Sequence, residues 1–281
     1  MSFGPDPWQQ TNWDWRAAGN FMCGGAGAGL VILAILSGAH AAVVLAGLAL
    51  IGVGLSCVWL EIGRPLRALH VFFNPQTSWM TREGIVATLL MPAGLASAVL
   101  WPQIGFVTAL LALAFVYCQG RILRAARGIP AWREPRVVPF IVATGLAEGG
   151  ALLLLAAPWQ VSDKPALLGL VAALLLVRIA LWGTYRQRLA ARARTALAPS
   201  GRALVWGGTV LPLALMALAA AGVLPAAALA LAGAAAAASG AWIKFALVTR
   251  AGFNQGFALA RLPVRGVPRR AQTAATGGPT P

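Results

Sequence analysis

Polar and apolar residues divide the chain into long apolar runs separated by short polar breaks. A helix needs about 20 apolar residues to cross the ~30 Å hydrocarbon core of a bilayer. Eight segments reach or approach that length, at roughly 18–38, 41–62, 84–101, 104–123, 137–157, 165–185, 203–222 and 225–247. The pattern predicts an all-α integral membrane bundle of eight transmembrane helices with both termini on the same side. Tight turns at Ser37-Gly38, Trp101-Pro102-Gln103 and Gly222 to Pro225 join the first, third and seventh segments to their successors, so these pairs read as transmembrane hairpins. The link from Trp159 to Lys164 is also short. Residues 1–17 read as an interfacial or docking segment, 18–247 as the membrane domain and 248–281 as a tail. The tail opens with aromatics and amides suited to packing on a partner and ends in a composition that favours disorder.

Composition agrees with this division: 59% of the residues are hydrophobic and 10% are charged, where a soluble domain carries about a quarter charged residues. The formal net charge of +15 would point to nucleic acid in a soluble protein. Here it sits in short loops, where membrane topology explains it and no nucleic-acid partner is needed. With eight crossings, nineteen arginines fall on the face shared by the N-terminus, the 2–3, 4–5 and 6–7 loops and the tail, and Lys164 alone falls on the other. The bias places both termini in the cytoplasm and the chain in a bacterial inner membrane. The opening MSFGPDPWQQTNWDWR carries Asp6 and Asp14 and lacks a basic n-region, so it does not read as a signal peptide.

Cys23, Cys57 and Cys118 lie in apolar stretches without metal-ligand spacing and read as small buried residues. His40 and His70 are the two histidines. Bis-histidine haem needs both at membrane depth, and His70 stands in a polar loop, so haem and metal ligation are not expected. The run from Gly24 to Gly29 lacks a preceding strand and lies at membrane depth, so it reads as a close helix–helix contact rather than a phosphate-binding loop.

Charges at membrane depth are costly and are candidates for chemistry. Glu61 ends the second segment, where it is either an interfacial carboxylate paired with Arg64 or Arg67 or a proton-transfer group. Glu148 and Arg178 lie at comparable depths on neighbouring helices and read as a buried ion pair or a proton-path element. Lys244, near the end of the eighth segment, reads as a snorkelling lysine unless a ligand sits beside it. The stretch from Trp59 to Glu83 mixes aromatics with Arg, His, Asn, Ser and Thr at a helix end, a combination that suits a flat amphipathic ligand.

The motif EIGRPLRALHVFFNPQTSWMTREG resembles the 2–3 loop of the dimethyl sulfoxide reductase anchor family, within the wider NrfD-like group of quinone-reactive membrane anchors. That loop has a Gly-x-Pro-x-Arg-Ala core followed by Ser-(Trp/Ala)-(Leu/Met)-(Ser/Thr)-x-Glu, matched here by Gly63, Pro65, Arg67, Ala68, Ser78, Trp79, Met80, Thr81 and Glu83. FVYCQGRILRAARGIPAWREP (115–135) is similar to the family's fourth-helix exit. The resemblance covers about residues 17–250, and the N-terminus and tail look closer to anchors associated with phenylacetyl-CoA:acceptor oxidoreductases.

The resemblance implies a subunit that anchors an iron–sulfur electron-transfer subunit and a molybdopterin catalytic subunit to the bilayer and passes electrons to or from menaquinone or ubiquinone. The implied quinone site comprises Glu61, Arg64, Arg67, His70 and Trp79, with Lys244. Glu61 is the candidate for proton transfer, standing where related anchors often carry a histidine. A cytoplasmic docking face suits a cytoplasmic substrate such as an aryl-acyl-CoA or sulfite. Two other classes compete: a proton-coupled secondary transporter, motivated by Glu148, Arg178 and Lys244, and a structural anchor without a redox role.

Overall fold

A computed structural model describes Gly4 and residues 7–62, 70–160 and 164–256. These residues form an all-helical, multi-pass membrane protein. Its long helices are α1 (Trp15–Leu36), α2 (Ala41–Ile62), α3 (Trp79–Val99), α4 (Gly105–Ala125), α5 (Val137–Gln160), α6 (Lys164–Arg188), α7 (Ala198–Ala220) and α8 (Ala227–Thr249). Among the described residues, seven of them are long and apolar enough to cross a membrane. The exception is α3, whose first turns carry Arg82 and Glu83.

Expected boundaries shift where amphipathic residues extend a helix past its apolar core. The third helix begins at Trp79 rather than 84, because the Ser78 hydroxyl caps it by accepting the Thr81 amide at 3.3 Å. The seventh begins at Ala198 rather than 203. Two hairpins turn on glycines in the left-handed region, Gly38 at φ 62° and Gly222 at φ 72°, where a Cβ would be strained.

The centre of the bundle is built on glycine contacts. Gly25 and Gly29 of α1 face Gly145 and Gly149 of α5, and a Cβ on Gly29 or Gly149 would fall on the partner's backbone. Helices that approach this closely gain dispersion contacts, which are the main packing term where lipid removes the hydrophobic one. Gly149→Val is therefore expected to cost about 1–3 kcal/mol through overpacking. The loss would be read as a lower unfolding temperature and a smaller monodisperse fraction in detergent.

A second core closes one end of the bundle. Trp13 stacks on Trp132 at 4.8 Å, the Trp132 indole donates to the Leu247 carbonyl at 2.9 Å, and the Tyr185 hydroxyl donates to the Ala131 carbonyl at 2.7 Å. The N-terminal segment pairs with the chain that follows α8. Gly4 donates to the Gln255 carbonyl at 2.7 Å, Gln10 to Gly252 at 2.8 Å, and Asn254 to Trp8 at 3.0 Å. Gln9 and Phe253 form an isolated antiparallel bridge. The described N-terminal segment and the start of the tail thus meet at one end. Residues 257–281 lie outside the described residues.

Candidate functional site

The site grows from an irregularity in α1. Residues Asn20–Gly24 form a π-turn, a widened turn that re-aims side chains and often accompanies function. It points Asn20 inward, where its amide donates to Glu83 Oε1 at 3.1 Å. Glu83 comes from the second turn of α3 and is 6% exposed. Gln119 of α4 donates to the Asn20 carbonyl at 2.9 Å. One carboxyl and two carboxamides are thus joined across three helices.

Glu83 also borders two cavities. One, of about 370 Å³, lies between α2, α3 and the helical turn at 70–73, with walls from Leu55, Val58, Phe72, Met80 and Met91. Its lining is mostly apolar, with Glu83 and Thr88 among its polar side chains. The other, of about 230 Å³, is lined by Trp13, Asn20, Glu61, Met80 and Glu83, and shares Val58, Met80 and Glu83 with the first. Glu61, Glu83 and Asn20 thus line two cavities that share part of their wall. At its rim Arg16 pairs with Asp14 at 2.8 Å and donates to the Leu60 carbonyl at 3.1 Å. The hydrogen bond from the Arg16 guanidinium holds the Asp14 carboxyl below the usual carboxylate range.

The residues singled out from sequence separate in space. Glu61 lines the smaller cavity. Arg64 and Arg67 lie outside the described residues. His70 is exposed and meets Phe73 edge-on at 5.4 Å. Trp79 faces away from the cavities, with the Arg82 and Arg121 guanidiniums each 4.1 Å from its ring centroid.

Lys244 corrects the snorkelling expectation. It is fully buried, and its ammonium donates to the Phe21 and Met22 carbonyls of the π-turn at 2.6 and 3.3 Å and to Glu148 Oε2 at 2.5 Å. The expected Glu148–Arg178 ion pair is likewise replaced, because Lys244 takes the carboxylate. Arg178 donates instead to the Ala236 carbonyl at 3.0 Å and to the Gly208 carbonyl, inside a second π-turn at Trp206–Val210. Each buried cation thus satisfies carbonyls of a π-turn on a neighbouring helix, which bare apolar packing could not do.

Sequence reading missed Glu83 as a site residue, along with Asn20 and Gln119. Glu83 follows Thr81 and Arg82 at a helix start, where a carboxylate ordinarily faces water. Its inward face is set by the Ser78 cap and the position of α3 in the bundle. The glycine run offered a signal: a Cβ on Gly25 would stand 2.9 Å from the Lys244 ammonium and 3.0 Å from Gln119 Oε1. These glycines make room for polar side chains from α4 and α8 as well as for a helix. Among the described residues, Asn20 Oδ1, Gln119 Oε1, Glu148 Oε1 and Arg178 Nε are buried without a hydrogen-bond partner.

No protein-family model matches the chain, and no curated protein matches its sequence.

Proposed function

We propose that this chain is the quinone-reactive membrane anchor of a molybdopterin oxidoreductase, exchanging electrons between an iron–sulfur subunit and the quinone pool. The observation that carries this reading is the apolar cavity of about 370 Å³ with the buried Glu83 carboxyl on its wall. Its size falls within the range of ligand sites, roughly 300–1,000 Å³. Its lining fits a flat ring bearing two polar oxygens and an isoprenoid tail. Four of the loop residues that carry the family resemblance, Trp79, Met80, Thr81 and Glu83, are in the first turns of α3, and Met80 and Glu83 line this cavity.

A bound quinone takes up two electrons and two protons on reduction. This chain's part is to hold the ring between aliphatic and aromatic walls, exclude water, and deliver or accept a proton at Glu83. The Asn20 amide fixes the Glu83 carboxyl through Oε1, and this carboxyl is the group that would meet the ligand. Glu61 lines the adjoining cavity, and on this reading it exchanges that proton with the membrane surface. Glu61→Gln is expected to lower quinone-coupled turnover by less than the ~10²-fold that loss of a general acid or base begins to cost. Unchanged quinone kinetics would remove Glu61 from the pathway.

We read α3 as an eighth crossing. The pairing of Gly4 and Trp8 to Gln10 with 252–255 at one end of the bundle calls for an even number of spans, and the arginine-rich loops then share that end, placed in the cytoplasm by the positive-inside rule. The iron–sulfur and molybdopterin partners would dock there, with a cytoplasmic substrate such as an aryl-acyl-CoA or sulfite. Affinity purification from native membranes tests this. Iron, acid-labile sulfide and molybdenum co-purifying with the chain are expected, and a stable chain isolated without them would contradict it.

The buried Lys244–Glu148 pair favours a second reading, a proton-coupled carrier. Substrate or proton flux through proteoliposomes holding this chain alone would support that reading over the first.

A further inference from the structure

A basic groove of about 650 Å³ lies on the far side of the α3 start from the cavities, lined by Thr77, Trp79, Arg121, Arg124, Arg127 and Arg133. Its walls are partly preorganised. Arg121 lies over Trp79 at 4.1 Å and donates to the Tyr117 hydroxyl at 2.7 Å, and Arg133 donates to the Arg127 carbonyl at 3.3 Å. Arg124 and Arg127 are exposed. Among the described residues, none of the four arginines has a carboxylate within ion-pair distance. Four like charges gathered without a counter-ion are held at a repulsive cost that an anion would relieve.

The helix that carries this charge also shows what kind of anion fits. Phe106, Leu110, Leu113 and Tyr117 are exposed on α4 at spacings of four, three and four residues, and the same face continues into Arg121 and Arg124. An apolar stripe of one helix face thus runs along the candidate span and ends in the arginine groove. A soluble acidic partner would meet the groove but not the stripe. A molecule with an anionic phosphate head and long acyl chains meets both.

We propose that the groove and the α4 stripe form a specific site for an anionic phospholipid, its phosphate held by Arg121, Arg124 and Arg127 and its acyl chains lying along Tyr117, Leu113, Leu110 and Phe106. Basic pockets at the cytoplasmic ends of membrane helices hold such headgroups, with about 1 kcal/mol for each arginine near the surface. The site stands independently of any quinone reaction.

The test uses the purified full-length protein in detergent, stripped of lipid and then titrated with phosphatidylglycerol, phosphatidylcholine or inorganic phosphate, with bound lipid counted by native mass spectrometry. Phosphatidylglycerol is expected to be retained and to raise the unfolding temperature, while phosphatidylcholine and phosphate leave it unchanged. Arg124→Gln with Arg127→Gln should weaken phosphatidylglycerol binding roughly 30-fold, and Arg124→Lys with Arg127→Lys should keep most of it. The lysine pair controls for a folding defect in the glutamine pair. Equal retention of phosphatidylcholine, equal stabilisation by phosphate, or undiminished binding by the glutamine pair would each overturn the proposal. So would displacement of the bound lipid by an acidic partner subunit at stoichiometric concentration.

Discussion

Lys244→Met is expected to destabilise the folded protein by roughly 3–5 kcal/mol, the cost of leaving a buried charge without its partner. The substitution nearly conserves volume, so cavity formation contributes little. It strands Glu148, which is fully buried and has one oxygen without a hydrogen-bond partner in the wild type. It also removes the donor to the Phe21 and Met22 carbonyls, loosening the π-turn that aims Asn20 at Glu83. The deficit would be read as a fall in unfolding temperature and in the monodisperse fraction on size exclusion. Adding Glu148→Leu to Lys244→Met should restore a large share of it, because the uncompensated carboxylate is then gone. A Lys244→Met protein as stable as the wild type would show that the pair is solvated and that the buried network does not hold the π-turn.

On the proposed quinone-anchor reading, the second large effect is on turnover. Glu83→Gln keeps the shape of the side chain and leaves an oxygen to accept the Asn20 amide, so the fold and the cavity should persist. It removes the proton. General acid–base groups contribute about 10²–10⁴-fold, and quinone-coupled turnover in the assembled complex should fall by a factor in that range. Reduction of the partner's iron–sulfur clusters by substrate should be unaffected, which separates a lost proton donor from a lost partner. Glu83→Asp retains the proton at a shorter reach and should recover part of the rate. Wild-type turnover in the Gln variant would leave the cavity without its acid–base group.

How far these features could be read in advance depends on what carried the signal. The apolar runs were long enough to place α1, α2 and α4–α8 within a few residues, because bilayer thickness fixes the length of a span whatever surrounds it. The start of α3 was less legible. Trp79, Arg82 and Glu83 read as a loop edge by hydropathy, and only the Ser78 cap draws them into a helix. The stretch from Trp59 to Glu83 supplies Trp59, Phe72, Met80 and Glu83 to one cavity wall, yet Trp79 turns towards the arginines and Glu83 towards the interior. Helical phase decides that, and its orientation is set by packing against α2 and α4. The partners of Glu148 and Arg178 were hidden for a similar reason. Depth along a helix can be counted from sequence, but the facing of α8 relative to α5 cannot, so sequence alone sends Lys244 to the membrane surface instead of to Glu148. Both buried cations act on π-turns, and a π-turn has no hydropathy signature.

The most direct test of the quinone-anchor reading is photolabelling of the complex in its membrane with an azidoquinone, followed by peptide mapping. Labels are expected on α2 and α3 around Val58, Met80 and Met91, competed away by unlabelled quinone and reduced in Glu83→Gln. Labelling that is absent, not competed, or confined to helices outside this cavity would contradict it.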